Sequence, residues 1–320
     1  MGNSSDAAPR EPLICVSGAI KRYGQVTALA GIDLEVFPGE VVGLLGVNGA
    51  GKTTLIESLM GARRLDEGDI SVCGFSPVKQ REECARRMSL QPQGSSLFKH
   101  LSVTESLELW ASFYPRPRQV DEVISLVDLG TKRKARVKTL SGGQQQRLRL
   151  ALALIGDTEI VAFDEPTVGL DPLAREQVWD VIRQRAGRGA VVMATQMMDE
   201  AEALCDRIVI MDAGKVVAEG GVSDLLERYA GQGSISFKTT SRVKAASLEN
   251  LPGVIWVSTR HVGASISVRL VVSDMTRARA AVRASSSIRA QRVKTAGPSL
   301  SDVFLRLVGK ELDEQTREED

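Results

Sequence analysis

Histidine is nearly missing: the 320 residues contain two, His100 and His261. A multi-histidine metal centre within one chain is thereby excluded. The four cysteines (Cys15, Cys73, Cys84 and Cys205) have no metal-ligand spacing and read as reduced cytosolic thiols. Long apolar runs are missing too. The longest, such as residues 41–45, are strand-sized, well short of the ~20 residues a membrane helix needs. Charge of one sign is also absent, with 41 Lys and Arg against 40 Asp and Glu and a net +1. Such a balance gives no broad electrostatic footprint for nucleic acid or anionic lipid, so no nucleic-acid partner is expected. The one dense basic stretch, residues 131–138, reads as a solvated face or a domain contact. The opening residues show no basic-then-apolar leader, and Asp6 stands where a myristoylation pattern wants Ser or Thr.

What remains is ordinary globular composition, 43% hydrophobic and 25% charged, which excludes a disordered or fibrous chain. The length predicts about two domains. Residues 1–11 read as a flexible polar tail. Over residues 12–228, β-rich runs at 40–45, 160–163, 190–194 and 207–211 alternate with helical stretches such as 144–155 and 172–185, an α/β pattern. A Gly-rich linker at 229–233 is expected to precede a small α+β domain at 234–310. Its predicted strands are 234–239, 254–259, 265–272 and 289–295, with helices at 275–285 and 299–308. An acidic tail, 311–320, ends the chain.

The chemistry begins after the 40–45 strand, at Gly46-Val47-Asn48-Gly49-Ala50-Gly51-Lys52-Thr53-Thr54. This fits G-x-x-x-x-G-K-[ST] in its required strand-to-helix setting. Glycines let backbone N–H groups curl around a phosphate, and the helix opening there adds the positive end of its dipole. Lys52 would reach the β and γ phosphates, and the Thr53 hydroxyl would serve Mg²⁺. Alone, the motif says only nucleoside triphosphate. A second strand, 160–163, delivers Asp164 and Glu165 at its C-terminal end, where open α/β sheets bind ligands. Asp164 suits Mg²⁺. Because side chains alternate along a strand, Glu165 need not be a metal ligand; it can take a proton from an attacking water, a role worth about 10²–10⁴-fold in rate.

Leu140-Ser141-Gly142-Gly143-Gln144-Gln145-Gln146-Arg147 then precedes a Leu- and Ala-rich helix, with Ser141 as N-cap and Gly142 and Gly143 leaving backbone donors uncovered. With these three motifs in this order, residues 13–228 resemble the ATP-binding subunit of ABC transporters, whose signature sequence is LSGGQQQR. Within that family the chain is most similar to drug- and antibiotic-export ATPases of the doxorubicin-resistance type, which pair with ABC-2-type permeases. The run Pro298-Ser299-Leu300-Ser301-Asp302-Val303-Phe304-Leu305 matches the end of their C-terminal extension.

The resemblance implies an α/β fold: a P-loop ABC-type nucleotide-binding domain with RecA-like core, antiparallel β subdomain and helical subdomain, followed by the small α+β domain. It implies that Asp171, in Gly169-Leu170-Asp171-Pro172, belongs to the family's D-loop. It further implies that Gln93 is the Q-loop glutamine and a Mg²⁺ ligand, and that Tyr23 stacks on adenine. It implies ATP and Mg²⁺ as cofactors, a head-to-tail dimer sandwiching two ATP, and a membrane permease facing Gln93 through His100. A place at the cytoplasmic face of a bacterial membrane is implied as well. One departure stands out. Gln196 occupies the family's switch-histidine position; an amide can donate to a γ-phosphate and accept from water, but cannot become charged.

Competing classes lose support in turn. No Asn-Lys-x-Asp motif reads guanine, and the 89 positions between Lys52 and Ser141 leave no room for the coiled coil of a DNA-repair ATPase. Only one cassette is present, unlike the translation-associated members. A soluble ABC-type ATPase acting on a non-membrane partner remains the alternative.

Overall fold

A computed structural model describes residues 11–94, 97–241, 245–285 and 288–309. Of the expected tails, 1–11 and 311–320, residues 1–10 and 311–320 therefore lie outside the described residues, as do residues 95–96 of the segment through His100. The chain divides into two compact units, Met1–Val216 and Val217–Asp320.

The first unit opens with β1 (Ile14–Tyr23), β2 (Val26–Val36), β3 (Val41–Leu45), α1 (Lys52–Leu59) and β4 (Glu67–Val72). Then come α2 (Arg81–Arg87), β5 (Met88–Gln91), α3 (Val103–Ala111), α4 (Val120–Leu126) and α5 (Gly142–Leu154). It continues through β6 (Ile160–Asp164), α6 (Pro172–Ala186), β7 (Ala190–Thr195), α7 (Met198–Leu204) and β8 (Arg207–Asp212). The edge strand β9 (Lys215–Gly220) contains the division between the units.

Two sheets build this unit. The larger runs β5-β6-β7-β3-β8-β9, and its central pairs are parallel: Val41 lies opposite Val191, and Asp164 opposite Ala194. Strands β3, β6 and β7 are buried throughout. That burial is why they read as unbroken apolar runs rather than alternating ones. The smaller sheet, β2-β1-β4, is antiparallel and packs its alternate residues, Val16, Ile32 and Leu34 among them, into one core with Leu44, Leu55 and Ile160. Helices α3, α4 and α5 form the inserted helical part. Two of them start on the capping box foreseeable from Ser-x-x-Glu/Gln: Ser102 with Glu105, and Ser141 with Gln144.

The second unit contains α8 (Val222–Leu225), a π-helical turn (Leu226–Ala230), β10 (Gly233–Thr239), α9 (Ala245–Glu249), β11 (Val254–Val262) and β12 (Ser265–Val272). It closes with α10 (Met275–Ala284), β13 (Gln291–Ala296) and α11 (Leu300–Leu307). From β10 the order is β-α-β-β-α-β, with an antiparallel sheet β11-β12-β10-β13. Ile235, Phe237, Val268 and Leu270 on one sheet face meet Leu248, Ala278 and Val282 from the helices.

The expected boundary needs correction. The sequence places a linker at 229–233, whereas the chain divides a dozen residues earlier. Residues 222–230 are helical and pack on α11, where Arg306 donates to the Tyr229 carbonyl. The Gly-rich stretch is a tight entry into β10, not a spacer: a Cβ on Gly233, at φ +131°, would lie 2.2 Å from the Ala296 oxygen.

Candidate nucleotide site

The phosphate loop joins β3 to α1 and needs glycine where it enters the helix. Gly51 caps α1 at φ +104°, and a Cβ there would sit 2.3 Å from the Ala28 oxygen. Lys52 is buried and arcs back over its own loop, donating to the carbonyls of Gly46 at 2.7 Å and Val47 at 3.0 Å. Burial lowers its ammonium pKa, while the nearby carboxylates of Glu165 and Asp164 act against that shift. Asn48, Gly49 and Thr53 are exposed along the loop.

Strand β6 ends at Asp164, which is 2% exposed. Its Oδ1 is buried without a hydrogen-bond partner among the described residues, and the Thr53 side chain bonds to the carboxylate. Burial pushes the Asp164 carboxyl up from its ordinary range, with the Thr53 bond pulling the other way. A buried orphan carboxylate oxygen beside a hydroxyl is a hard-oxygen donor set, which suits Mg²⁺ completed by substrate phosphates. No cluster of three or more His, Cys, Asp or Glu side chains able to hold a metal occurs among the described residues.

Glu165 is placed by a device other than the expected one. Pairing of β6 stops at Asp164, and Glu165 takes a left-handed backbone, φ +51°, with its N–H donating to the Ala194 oxygen at 2.9 Å. This kink, not strand alternation, sets the side-chain direction. Such a conformation is costly for a non-glycine residue and persists where surrounding contacts hold it. The side chain is held in turn by Gln93, whose Nε2 donates to Glu165 Oε2 at 2.6 Å. That bond leaves the Gln93 amide oxygen as an acceptor.

One cleft of about 430 Å³ collects Tyr23, Asn48 to Thr54, Gln93 and Glu165. Tyr23, 43% exposed, lines it together with Val26 and Ala28, two apolar walls the motifs do not reveal. The remaining candidates are not among its walls. Ser141 caps α5, and a Cβ on Gly142 would meet nothing within 4 Å. Asp171 is exposed and caps α6 by accepting from Ala174 N–H at 3.0 Å. Gln196 is exposed in the turn from β7 to α7.

Two further residues escape sequence reasoning. Gln146 donates through Nε2 to the Pro166 oxygen at 2.6 Å, tying α5 to the turn after Glu165. Glu200 is 1% exposed and collects three donors, two of them from more than twenty residues away. A carboxylate in an acidic stretch, Asp199-Glu200, carries no local signal of burial; its partners come from three other elements.

Known proteins are similar over nearly the whole chain. The profile of the family described as ABC transporter matches residues 29–168. The daunorubicin resistance ATP-binding protein DrrA3 of Streptomyces coeruleorubidus is 38% identical over 306 residues, covering 92% of this chain and 96% of that protein. The Nod factor export ATP-binding protein I of Rhizobium etli is 35% identical over 304 residues, covering 93% of each. Among solved structures, an ATP-binding subunit of an ABC transporter superposes with a TM-score of 0.62 at 27% identity, covering 68% of this chain and 92% of that one. A dimeric ATP-binding cassette bound to ADP and Pi shares the fold, with a TM-score of 0.59 at 23% identity, covering 65% of this chain and 98% of that one. The phosphate loop, the acidic strand end and the capped signature helix thus stand in a chain that belongs to the ATP-binding subunits of ABC transporters, and it is an ATPase of that family.

Proposed function

We propose that this chain powers an ABC-2-type exporter from the cytoplasmic face of a bacterial membrane, working as a head-to-tail dimer around two ATP. The relatives named for daunorubicin resistance and Nod factor export favour export, of a drug, antibiotic, peptide or lipid-linked substrate. The observation that carries the dimer reading is a separation. The cleft contains the phosphate loop, Gln93 and Glu165, but none of Ser141, Gly142 and Gly143. Gly142 faces open space, so its lack of a side chain answers no neighbour within the described chain. A second copy presenting its signature helix to the first copy's ATP accounts for both facts.

In that assembly Tyr23 stacks on the base, and the N–H groups of residues 49–53 cradle the phosphates. Lys52 exchanges its two loop carbonyls for phosphate oxygens. Thr53 and Asp164 would hold Mg²⁺, with the Gln93 amide oxygen beside them; when bound, the ion supplies positive charge against the phosphate oxygens. Glu165, oriented by Gln93, takes the proton of the attacking water. Gln196 donates its amide N–H to the γ-phosphate, and Asp171 fixes the start of α6 at the dimer face. A separate ABC-2-type permease provides the membrane path; no helix among the described residues of this chain is long and apolar enough to cross a bilayer.

The test is Glu165→Gln. ATP binding is expected to survive while turnover falls by about 10²–10⁴-fold. Near-normal hydrolysis by this variant would remove Glu165 from the base role.

A further inference from the structure

Glu200 lies outside the nucleotide cleft, yet its carboxylate joins two segments that the proposed reaction needs held together. Oε2 accepts from the Thr195 hydroxyl at 2.6 Å. The same Thr195 oxygen accepts from the Met197 N–H at 2.9 Å, so the backbone is pinned on both sides of Gln196. Oε1 accepts from the Thr167 hydroxyl at 2.7 Å and from the Trp179 indole N–H at 3.3 Å. Thr167 is two residues past Glu165, and its carbonyl accepts from Leu170 N–H at 3.1 Å at the start of the run to Asp171. On its other side the same turn is held through Pro166 by Gln146 of the signature helix.

A buried carboxylate is expensive unless it is hydrogen-bonded, and here three donors, from β7, α6 and the 166–170 turn, bond to its two oxygens. Charge-assisted bonds of this kind are roughly twice as strong as neutral ones. Apolar side chains of equal volume would pack the space but could not fix direction. We infer that Glu200 is a positioning residue for hydrolysis: through Thr195 and Thr167 it locks the Gln196 turn to the Glu165 turn, so that both groups meet the γ-phosphate and its water in one fixed geometry. The inference rests on the roles proposed for Glu165 and Gln196. It adds a residue that touches neither nucleotide nor water.

Misplacing a reacting group by about 1 Å costs on the order of 10²-fold in rate, whereas ATP affinity is set by the phosphate loop and Tyr23, which Glu200 does not touch. The experiment compares Glu200→Gln, Thr167→Val and the double variant by ATP turnover, fluorescent-ATP titration and melting temperature. Each single variant is expected to lose about 10- to 100-fold in kcat with ATP affinity within about twofold of the parent. The double variant is expected to be no worse than the weaker single, because both cut one link. Lower melting temperatures with unchanged kcat, or losses that multiply in the double variant, would overturn the inference. Thr167→Val keeps the test alive if Glu200→Gln does not fold. Glu165→Gln runs beside them: if it abolishes turnover while the other variants keep theirs, this inference alone fails; if it keeps turnover, the proposed base fails first.

Discussion

Asp164 combines full burial, an ionisable side chain and an oxygen with no partner among the described residues. Its carboxyl is raised by burial, so between the unfolded value of about 3.9 and the higher folded one the native state holds more protons than the unfolded state. Stability therefore falls as pH rises through that window. Asp164→Asn removes the dependence: without nucleotide, the variant is expected to melt above the parent at pH 7, with the gap closing toward pH 4. Calorimetry across that range checks it, and a gap that ignores pH would mean the carboxylate is not strained. At this scale the sequence was legible where phosphate chemistry dictates spacing, as at Gly51, Lys52, Thr53 and Asp164. It was silent where position depends on a backbone kink, as at Glu165, or on donors from other elements, as at Glu200.

Elements were legible nearly to the residue when their ends carry local signals. Ser141 and Ser102 announce α5 and α3 by their hydroxyls, and Asp171-Pro172 announces α6. Strands β3, β6 and β7 follow from apolar runs of the right length. Residues 222–230 were not legible, because that helical segment exists by packing on α11, some 80 positions later. Helix α6 carries another feature hidden in the sequence. Arg185 is 4% exposed; its Nη2 donates to the Thr158 oxygen, but Nε and Nη1 lack partners among the described residues. It lines a cavity of about 240 Å³ with Arg118 and Arg188. Burying a charge without an opposite charge beside it is costly, so Arg185→Met is expected to be neutral or to stabilise by about 1 kcal/mol in urea unfolding. A loss of that size instead would show that the guanidinium supports the packing of α6.

Across the whole molecule, the net charge of +1 conceals a division of charge. Residues 233–309 hold twelve Lys and Arg against three Asp and Glu, so this stretch is strongly basic while the chain average is neutral and the acidic end of the chain offsets it. Whole-chain composition could not show this, and the exclusion of anionic partners drawn from it does not extend to that stretch. The order of motifs, by contrast, was enough to place the chain in its family, because the phosphate loop, the acidic strand end and the signature helix each depend on local geometry. What local geometry leaves open is why Ser141 and its two glycines stand away from the cleft. The most direct measurement is sedimentation velocity of Glu165→Gln with and without ATP and Mg²⁺, alongside the same variant carrying Ser141→Arg. The account predicts a nucleotide-dependent shift from monomer to dimer that Ser141→Arg abolishes while ATP remains bound. ATP-saturated Glu165→Gln that stays monomeric, beside a parent chain that hydrolyses ATP at an undiminished rate as a monomer, would contradict it.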